Sequence, residues 1–150
     1  MKKLKIVKEP AKILHQISKE VVKVDEKLLN LIQDMAHTMY ESNGVGLAAP
    51  QIDKSIRVFV VAHKEGVVPF INPEIYWYSK ATSVSEEGCL SIPGVYVKVR
   101  RSESIKIKFL NQLGEKQDIE IKGFFARVVQ HEYDHLNGVL ITEKNEDERA

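Results

Sequence analysis

Apolar residues recur at helical spacing in two parts of the chain. The first part runs from Glu26 to Ser42, with Asp25 placed to act as its N-cap and Gly44 just beyond its end, where a left-handed residue is common. Its apolar positions are Leu28, Leu29, Ile32, Met35, Ala36 and Met39. The second part runs from Phe124 to Leu136, and Gly138 can end it. This spacing predicts two amphipathic α-helices.

Between the two predicted helices the pattern changes to short runs of β-branched and aromatic residues. The runs are RVFVVAH, VVPFINP, IYWYS, VYVKVR, SIKIKFL and DIEI. Turn signals such as NQLGE separate them, and the alternation in SIKIKFL predicts a strand with one solvated face. A further short helix is expected within residues 11–19. Strands grouped between two helices predict an α+β fold, with mainly antiparallel sheets wrapped around the C-terminal helix.

Composition narrows the class of protein without indicating an activity. The 150 residues carry a formal net charge of +1 and show no linker, repeat or low-complexity segment. We therefore expect a single domain over residues 1–150 and no nucleic-acid partner. The start, MKKLKIVKEP, is basic but has no apolar run behind it, and no run approaches the ~20 apolar residues that cross a bilayer. We expect a cytoplasmic monomer with no membrane partner.

The segment QHEYDHLNG places reactive groups on the second predicted helix. His131 and His135 are four residues apart, so both imidazoles would face one point and could hold a metal ion there. Glu132 lies beside that point and could act as a general base. The alternative is an accidental histidine pair on a polar helix face. The HExxH pattern, however, strongly indicates two metal-binding histidines with a neighbouring general base.

A catalytic metal site usually has a third protein ligand, for which the sequence offers two places. Zinc proteases with HExxH take it from downstream, but Ile141 stands where one such class has a histidine, which leaves Glu143 and Glu146 as formal candidates. Upstream, EEGCLSIPG contains Cys89, the only cysteine, before an expected turn at Ile92-Pro93-Gly94. A lone cysteine is usually a buried apolar residue. Beside a histidine pair, however, its thiolate could complete a Cys–His–His set suited to iron, zinc, cobalt or nickel.

The segment NGVGLAAPQ is rich in small residues. A phosphate-binding loop fails as an interpretation because no lysine follows in the required place and no strand precedes it. A tight connection between a helix and a strand would explain Gly44 and Pro50. It would not explain the small side chains up to Ala49, or the amide of Gln51, which can donate a hydrogen bond to a developing oxyanion.

Taken in order, GVGLAAPQ, EEGCLS and QHEYDHLNG resemble the three motifs of the peptide deformylases in their compact bacterial form. The resemblance extends from about residue 5 to about residue 143. It implies a hydrolase that removes the formyl group from the N-terminal formyl-methionine of newly made polypeptides and releases formate. It also implies one divalent metal ion held by Cys89, His131 and His135, with Fe2+ typical of the family and Zn2+, Ni2+ or Co2+ able to substitute.

The resemblance further implies which groups carry the reaction. Glu132 would take a proton from the attacking water and later give it to the leaving amine. The side chain of Gln51 and the backbone N–H of Leu90 would meet the oxyanion, together with the metal ion.

The implied substrate is an N-formylmethionyl peptide, or a nascent chain at the ribosome, which points to a bacterial or organelle origin. Its backbone would lie extended against Val45, Gly46 and Gly88. Its methionine side chain would enter an apolar pocket near Val45, Phe124, Val128 and His131.

Two further positions match the family motifs, and one departs from a common pattern. Gln130 would support the site from behind the ligands, and Glu87 would order the cysteine loop by pairing with Arg101 or Arg100. Tyr96 stands where some bacterial members have an arginine near the substrate, which leaves the peptide preference open. The chain ends soon after VLITEK, whereas many members continue into a longer helix; we expect reduced stability or altered docking, with the chemistry retained.

Two other classes of function stay open at this point. A zinc endopeptidase would need the downstream third ligand. A deformylase-like protein that acts only by binding would have no use for Glu132, Gln51 and a complete ligand set, all of which are present.

Overall fold

The computed structural model describes residues 1–64 and 66–148. Within these ranges there are two α-helices, α1 (Glu26–Glu41) and α2 (Gly123–Leu136), with seven strands between them. The strands are β1 (Gly46–Ala48), β2 (Val58–His63), β3 (Gly66–Tyr78), β4 (Thr82–Cys89), β5 (Ile92–Ser102), β6 (Ser104–Leu110) and β7 (Lys116–Lys122). Short 3-10 helices occur at Lys12–His15, Ala49–Ile52, Ile141–Lys144 and Glu146–Glu148.

The named strands pair in antiparallel fashion in two sheets. One sheet has the order β1-β2-β3-β6-β7, and the other is the β4-β5 hairpin. Most of these strands follow each other through short connections, which favours antiparallel pairing. The predicted α+β fold, with antiparallel sheets and a C-terminal helix that carries HExxH, is confirmed.

The centre of the larger sheet is buried on both faces because a helix packs on each. In β2, Phe59 and Val61 pack in one cluster with residues of α2, whereas Val58 and Val60 pack in a second cluster with residues of α1. All four side chains are fully buried. This double burial explains why β2 is continuously apolar rather than alternating. It also places α2, and any group on its inner face, in the interior of the protein.

The start of α1 is as predicted, and its end differs. The carboxylate of Asp25 caps the helix by accepting a hydrogen bond from the Leu28 N–H at 2.9 Å. The left-handed residue after the helix is Asn43, with a φ of 58°, and not Gly44. Gly44 is small for another reason: a Cβ there would lie 2.8 Å from Cδ1 of Leu90.

Several other expectations are corrected by the structure. The expected helix at 11–19 is only the 3-10 turn Lys12–His15, and the runs VVPFINP and IYWYS form one strand, β3. The expected turn at Ile92-Pro93-Gly94 lies inside β5, and the chain reverses earlier, at Leu90 and Ser91, so that Cys89 pairs with Ile92. The sequence pattern does not predict strands β1 and β4, because β1 is short with small side chains and β4 is mostly polar.

In the described part of the chain, no helix is both long and apolar enough to cross a membrane.

Candidate active site

Helix α2 presents three reactive side chains toward the interior. His131 and His135 lie one turn apart with ring centroids separated by 5.2 Å. Glu132 and His135 are almost completely buried, at 4% and 2% exposure. Burial of this face follows from the packing of α2 against the larger sheet and the β4-β5 hairpin.

Cys89 reaches the same point from the end of β4. Its Sγ lies 3.4 Å from Nε2 of His135. The ligand atoms of Cys89, His131 and His135 all lie within 4.8 Å of one another, and no other group of three or more potential metal ligands occurs among the described residues. The structure thus brings together the upstream thiol and the histidine pair, residues that are more than 40 positions apart in the chain.

The downstream positions do not supply a third ligand to this cluster, because their side chains are buried or paired with other residues. Ile141 is buried in the apolar interior. Glu143 lies near His15, and Glu146 accepts a hydrogen bond from Arg100.

A buried carboxylate, Glu87, orients one of the histidines. Nδ1 of His131 lies 2.8 Å from Oε1 of Glu87, and His131 also has a hydrogen bond with Cys89. Burial lowers the pKa of His131, but the hydrogen bonds with Cys89 and Glu87 outweigh this and raise the pKa to about 10. Because Nδ1 is directed to Glu87, Nε2 is directed to the ligand cluster, which is the orientation that a metal-binding imidazole requires.

Glu87 in turn is held by two arginines. Arg101 donates two hydrogen bonds to its two oxygens, at 2.9 and 3.1 Å, and Arg127 donates a third at 2.6 Å. Burial by itself would raise the pKa of Glu87, but the hydrogen bonds from His131 and Arg101 lower it to about 2. The expected pairing of Glu87 is therefore with Arg101, while Arg100 contacts Glu146 and Thr82.

Two buried polar atoms at the site have no partner among the described residues. They are Oε1 of Glu132 and Nδ1 of His135. Burial raises the pKa of Glu132 to about 7 and lowers the pKa of His135 well below its usual value, so His135 is a neutral imidazole. A neutral imidazole beside a thiol and a second, oriented imidazole fits a divalent metal ion, and an unpartnered carboxylate oxygen fits a group that must accept a proton.

Small residues on the neighbouring strands leave room for these groups. A Cβ at Gly46 would lie 2.6 Å from Oε2 of Glu132, so only glycine lets the carboxylate approach β1. A Cβ at Gly88 would lie 2.7 Å from the ring of Tyr96, its cross-strand partner.

The predicted substrate-binding residues line one cleft of about 450 Å³. Val45 and Phe124 at its rim are 48% and 69% exposed, while Val128 is buried. The cleft also contains the predicted catalytic residues and two of the three possible ligands. These are Gln51, Leu90, Glu132, Cys89 and His131.

Sequence reasoning missed part of this arrangement. The sequence places Arg127 on the same helix as the histidine pair but does not predict its contacts. In the structure it donates hydrogen bonds to the carbonyls of Ser83 and Val99, in addition to its bond to Glu87. Its position four residues before His131 placed it on the same helix face, which was an available signal. Gln130 ties α2 to β5 through the backbone of Ser102.

An α+β fold in which a thiol from a hairpin joins an HExxH histidine pair and its buried glutamate has the arrangement of a metallohydrolase. The sequence model described as polypeptide deformylase matches residues 3–150, and the chain belongs to that family. It is accordingly a hydrolase of the peptide deformylase type. Family membership argues against the zinc endopeptidase alternative.

Individual relatives agree with this assignment. The chain is 46% identical over 144 residues to the peptide deformylase of Thermotoga maritima, which covers 96% of this chain and 87% of that protein. It is 44% identical over 143 residues to peptide deformylase 1 of Burkholderia multivorans, covering 93% and 79%. The crystal structure of the Thermotoga maritima enzyme superposes with a TM-score of 0.94 over 97% of this chain and 99% of that one. A class I type b peptide deformylase from Acinetobacter baumannii with Met-Ala-Ser bound gives a TM-score of 0.90 at 39% identity, covering 95% and 98%.

Proposed function

We propose that this protein is a metal-dependent hydrolase that removes the formyl group from the N-terminal formyl-methionine of newly made polypeptides and releases formate. The observation that carries the proposal is the convergence of Cys89, His131 and His135 beside a buried Glu132 whose Oε1 has no partner among the described residues. The Acinetobacter baumannii relative with Met-Ala-Ser bound supports a peptide that begins with methionine as the molecule in the cleft.

Cys89, His131 and His135 would hold the metal ion. When bound there, a divalent ion would supply the Lewis acidity that activates water and stabilises negative charge on the formyl oxygen. The soft thiolate and two imidazoles suit Fe2+, which we propose as the ion in the cell, and Zn2+, Ni2+ or Co2+ would be able to substitute for it. Glu87 keeps His131 in the ligating orientation, and the low pKa of His135 keeps that imidazole unprotonated.

Glu132 would move the proton in the reaction. Its Oε1 accepts a proton from water as the water oxygen attacks the formyl carbon, and a tetrahedral oxyanion forms. The C–N bond then breaks, the same proton passes from Glu132 to the leaving amine nitrogen, and formate and a free N-terminus result. The pKa of Glu132, raised to about 7 by burial, suits a group that both accepts and returns a proton near neutral pH.

Gln51 and Leu90 would stabilise the oxyanion through the Gln51 side-chain amide and the Leu90 backbone N–H. Gln51 is 2% exposed, and its Nε2 lies 3.7 Å from Sγ of Cys89, so a donor is already present next to the ligand cluster. A donor fixed in place before the reaction loses little free energy to reorganisation when charge develops.

The cleft would bind the peptide as an extended strand. Its backbone would lie along Val45, Gly46 and Gly88, where the β1 and β4 edges flank the site. The methionine side chain would rest between Val45, Phe124 and Val128. Since a formyl group is small, the reacting end needs little space beyond the ligand cluster. We further propose that the protein acts as a cytoplasmic monomer on chains emerging from the ribosome.

Formate release from formyl-Met-Ala-Ser tests the proposal. Wild type and Glu132→Ala would be loaded with Ni2+ or Co2+ and compared at equal metal content, with Glu143→Ala as a matched control that removes an exposed glutamate. We expect turnover in wild type and in Glu143→Ala, and a loss of about 100-fold or more in Glu132→Ala, the scale of general acid–base catalysis. Absence of turnover in fully metal-loaded wild type would refute the proposed activity, and metal loss in Glu143→Ala would instead favour a downstream ligand.

A further inference from the structure

We infer that Ser91 is a positioning residue that holds the Gln51 side-chain amide in its working direction. The inference rests on the proposed function, in which that amide donates to the oxyanion. Ser91 is the last residue of the EEGCLS motif, and its side chain is fully buried.

Two hydrogen bonds determine the plane of the Gln51 carboxamide. Its Oε1 accepts the backbone N–H of Ala48 at 2.9 Å, and its Nε2 donates to Oγ of Ser91 at 3.1 Å. A carboxamide is planar and carries two hydrogens on its nitrogen. With the oxygen and one hydrogen fixed, the direction of the second hydrogen is fixed as well.

That second hydrogen is on the side of the ligand cluster. Nε2 of Gln51 donates a second, longer hydrogen bond to Sγ of Cys89 at 3.7 Å, beside its bond to Ser91. The contact with Ala48 alone would determine which end of the amide is nitrogen but would leave its tilt adjustable. Ser91 removes that freedom.

A segment near the N-terminus holds the backbones of both Gln51 and Ser91 through hydrogen bonds. The N–H of Val7 donates to the Gln51 carbonyl at 2.7 Å, and the N–H of Glu9 donates to the Ser91 carbonyl at 3.0 Å. Gln51 and Ser91 are 40 positions apart in sequence, yet one short stretch near the N-terminus fixes both. The same N-terminal stretch therefore holds the backbones of both residues, and the Ser91 hydroxyl links their side chains.

Serine suits this position because a hydroxyl oxygen accepts a hydrogen bond without adding charge beside Cys89. In Ser91→Ala the buried amide would lose the shorter of its two donated hydrogen bonds, at almost unchanged side-chain volume, and would keep the bonds with Ala48 and Cys89. We expect kcat to fall about 3- to 10-fold, the effect of one neutral hydrogen bond, with KM changed by less than about twofold.

A double-mutant cycle tests the inference with wild type, Ser91→Ala, Gln51→Ala and the double variant at equal metal content. If Ser91 acts through Gln51, the double variant will have the turnover of Gln51→Ala, because nothing is left to position. Ser79→Ala is the matched control, since it removes a hydroxyl with two backbone contacts in the turn between β3 and β4, away from the cleft. We expect its kcat to equal that of wild type.

A second measurement is independent of turnover. In 15N-labelled, metal-free protein, the two Gln51 side-chain amide protons should have distinct shifts and slow exchange, and Ser91→Ala should shift one of them and speed its exchange.

The outcomes separate the two proposals. Multiplicative losses in the double variant, or unchanged Gln51 amide signals in Ser91→Ala, overturn the role of Ser91 and leave the deformylase proposal standing. Full turnover in Gln51→Ala overturns the oxyanion role and the role of Ser91 together. If metal-loaded wild type shows no turnover, the activity proposal fails, and the amide signals still decide whether Ser91 positions Gln51.

Discussion

Replacing Glu87 by glutamine should destabilise the protein and loosen the ligand cluster. The Glu87 carboxylate is 8% exposed and accepts hydrogen bonds from Arg101 and Arg127, with His131 as a further partner. A glutamine would keep one acceptor oxygen but place an NH2 group against an arginine donor. It would also leave two buried guanidinium groups with less opposing charge.

The size of the effect follows from the pKa of Glu87, which falls from 4.5 to about 2 on folding. Each pH unit corresponds to about 1.4 kcal/mol, so the charged carboxylate contributes about 3 kcal/mol to the free energy of unfolding. Because the folded pKa is the lower one, this contribution is complete above pH 4.5 and disappears as the pH falls through about 2. We expect about half of it to remain near pH 3.

Urea unfolding of metal-free wild type and Glu87→Gln, from pH 7 to pH 3, measures this difference. Glu86→Gln is the matched control, because it removes the same charge from the exposed neighbouring residue and should change stability by less than about 0.5 kcal/mol. In the metal-loaded forms, Glu87→Gln should bind the ion about 10- to 100-fold more weakly, since His131 loses its orienting partner. A stability difference that stays constant down to pH 3, or one no larger than that of Glu86→Gln, would refute the reasoning.

Three further predictions concern the site and the fold. Gly46→Ala should lower turnover at least tenfold, because its Cβ would lie 2.6 Å from Oε2 of Glu132. Gly66→Ala, whose Cβ would have no atom of the other described residues within 4 Å, should match wild type in the same formate assay. Cys89→Ala should retain no metal after dialysis when metal content is measured by mass spectrometry, because it removes one of the three clustered residues that we propose as ligands. Full occupancy in this variant would contradict the Cys–His–His assignment. Asp25→Ala should cost about 1 kcal/mol in urea unfolding through loss of the α1 N-cap, with catalysis unchanged; an unaltered unfolding midpoint would show that the cap contributes nothing.

Features that depend on residues close together in the chain were predictable. The spacing of Leu28, Ile32, Met35 and Met39 predicted α1, and α1 packs that face against the sheet. Strand β4 was not predicted, because TSVSEEGC has few of the residues that favour strands and its pairing depends on β5. The sequence predicts the turn before β5 at Ile92-Pro93-Gly94, but the pairing of Cys89 with Ile92 places the reversal at Leu90 and Ser91.

The sequence alone determined the local part of the candidate site: His131 and His135 lie on one helix face because four residues make about one turn. The motif order also indicated Cys89 as the third ligand and identified the family. Only the tertiary structure decided that the possible ligand atoms of Cys89 and the histidine pair lie within 4.8 Å of one another, and that Arg101 rather than Arg100 holds Glu87. The hydrogen bond from Gln51 to Ser91 is likewise visible only in the tertiary structure. These contacts join distant segments whose approach depends on how the β4-β5 hairpin packs against α2, and helical or strand periodicity carries no information about that packing.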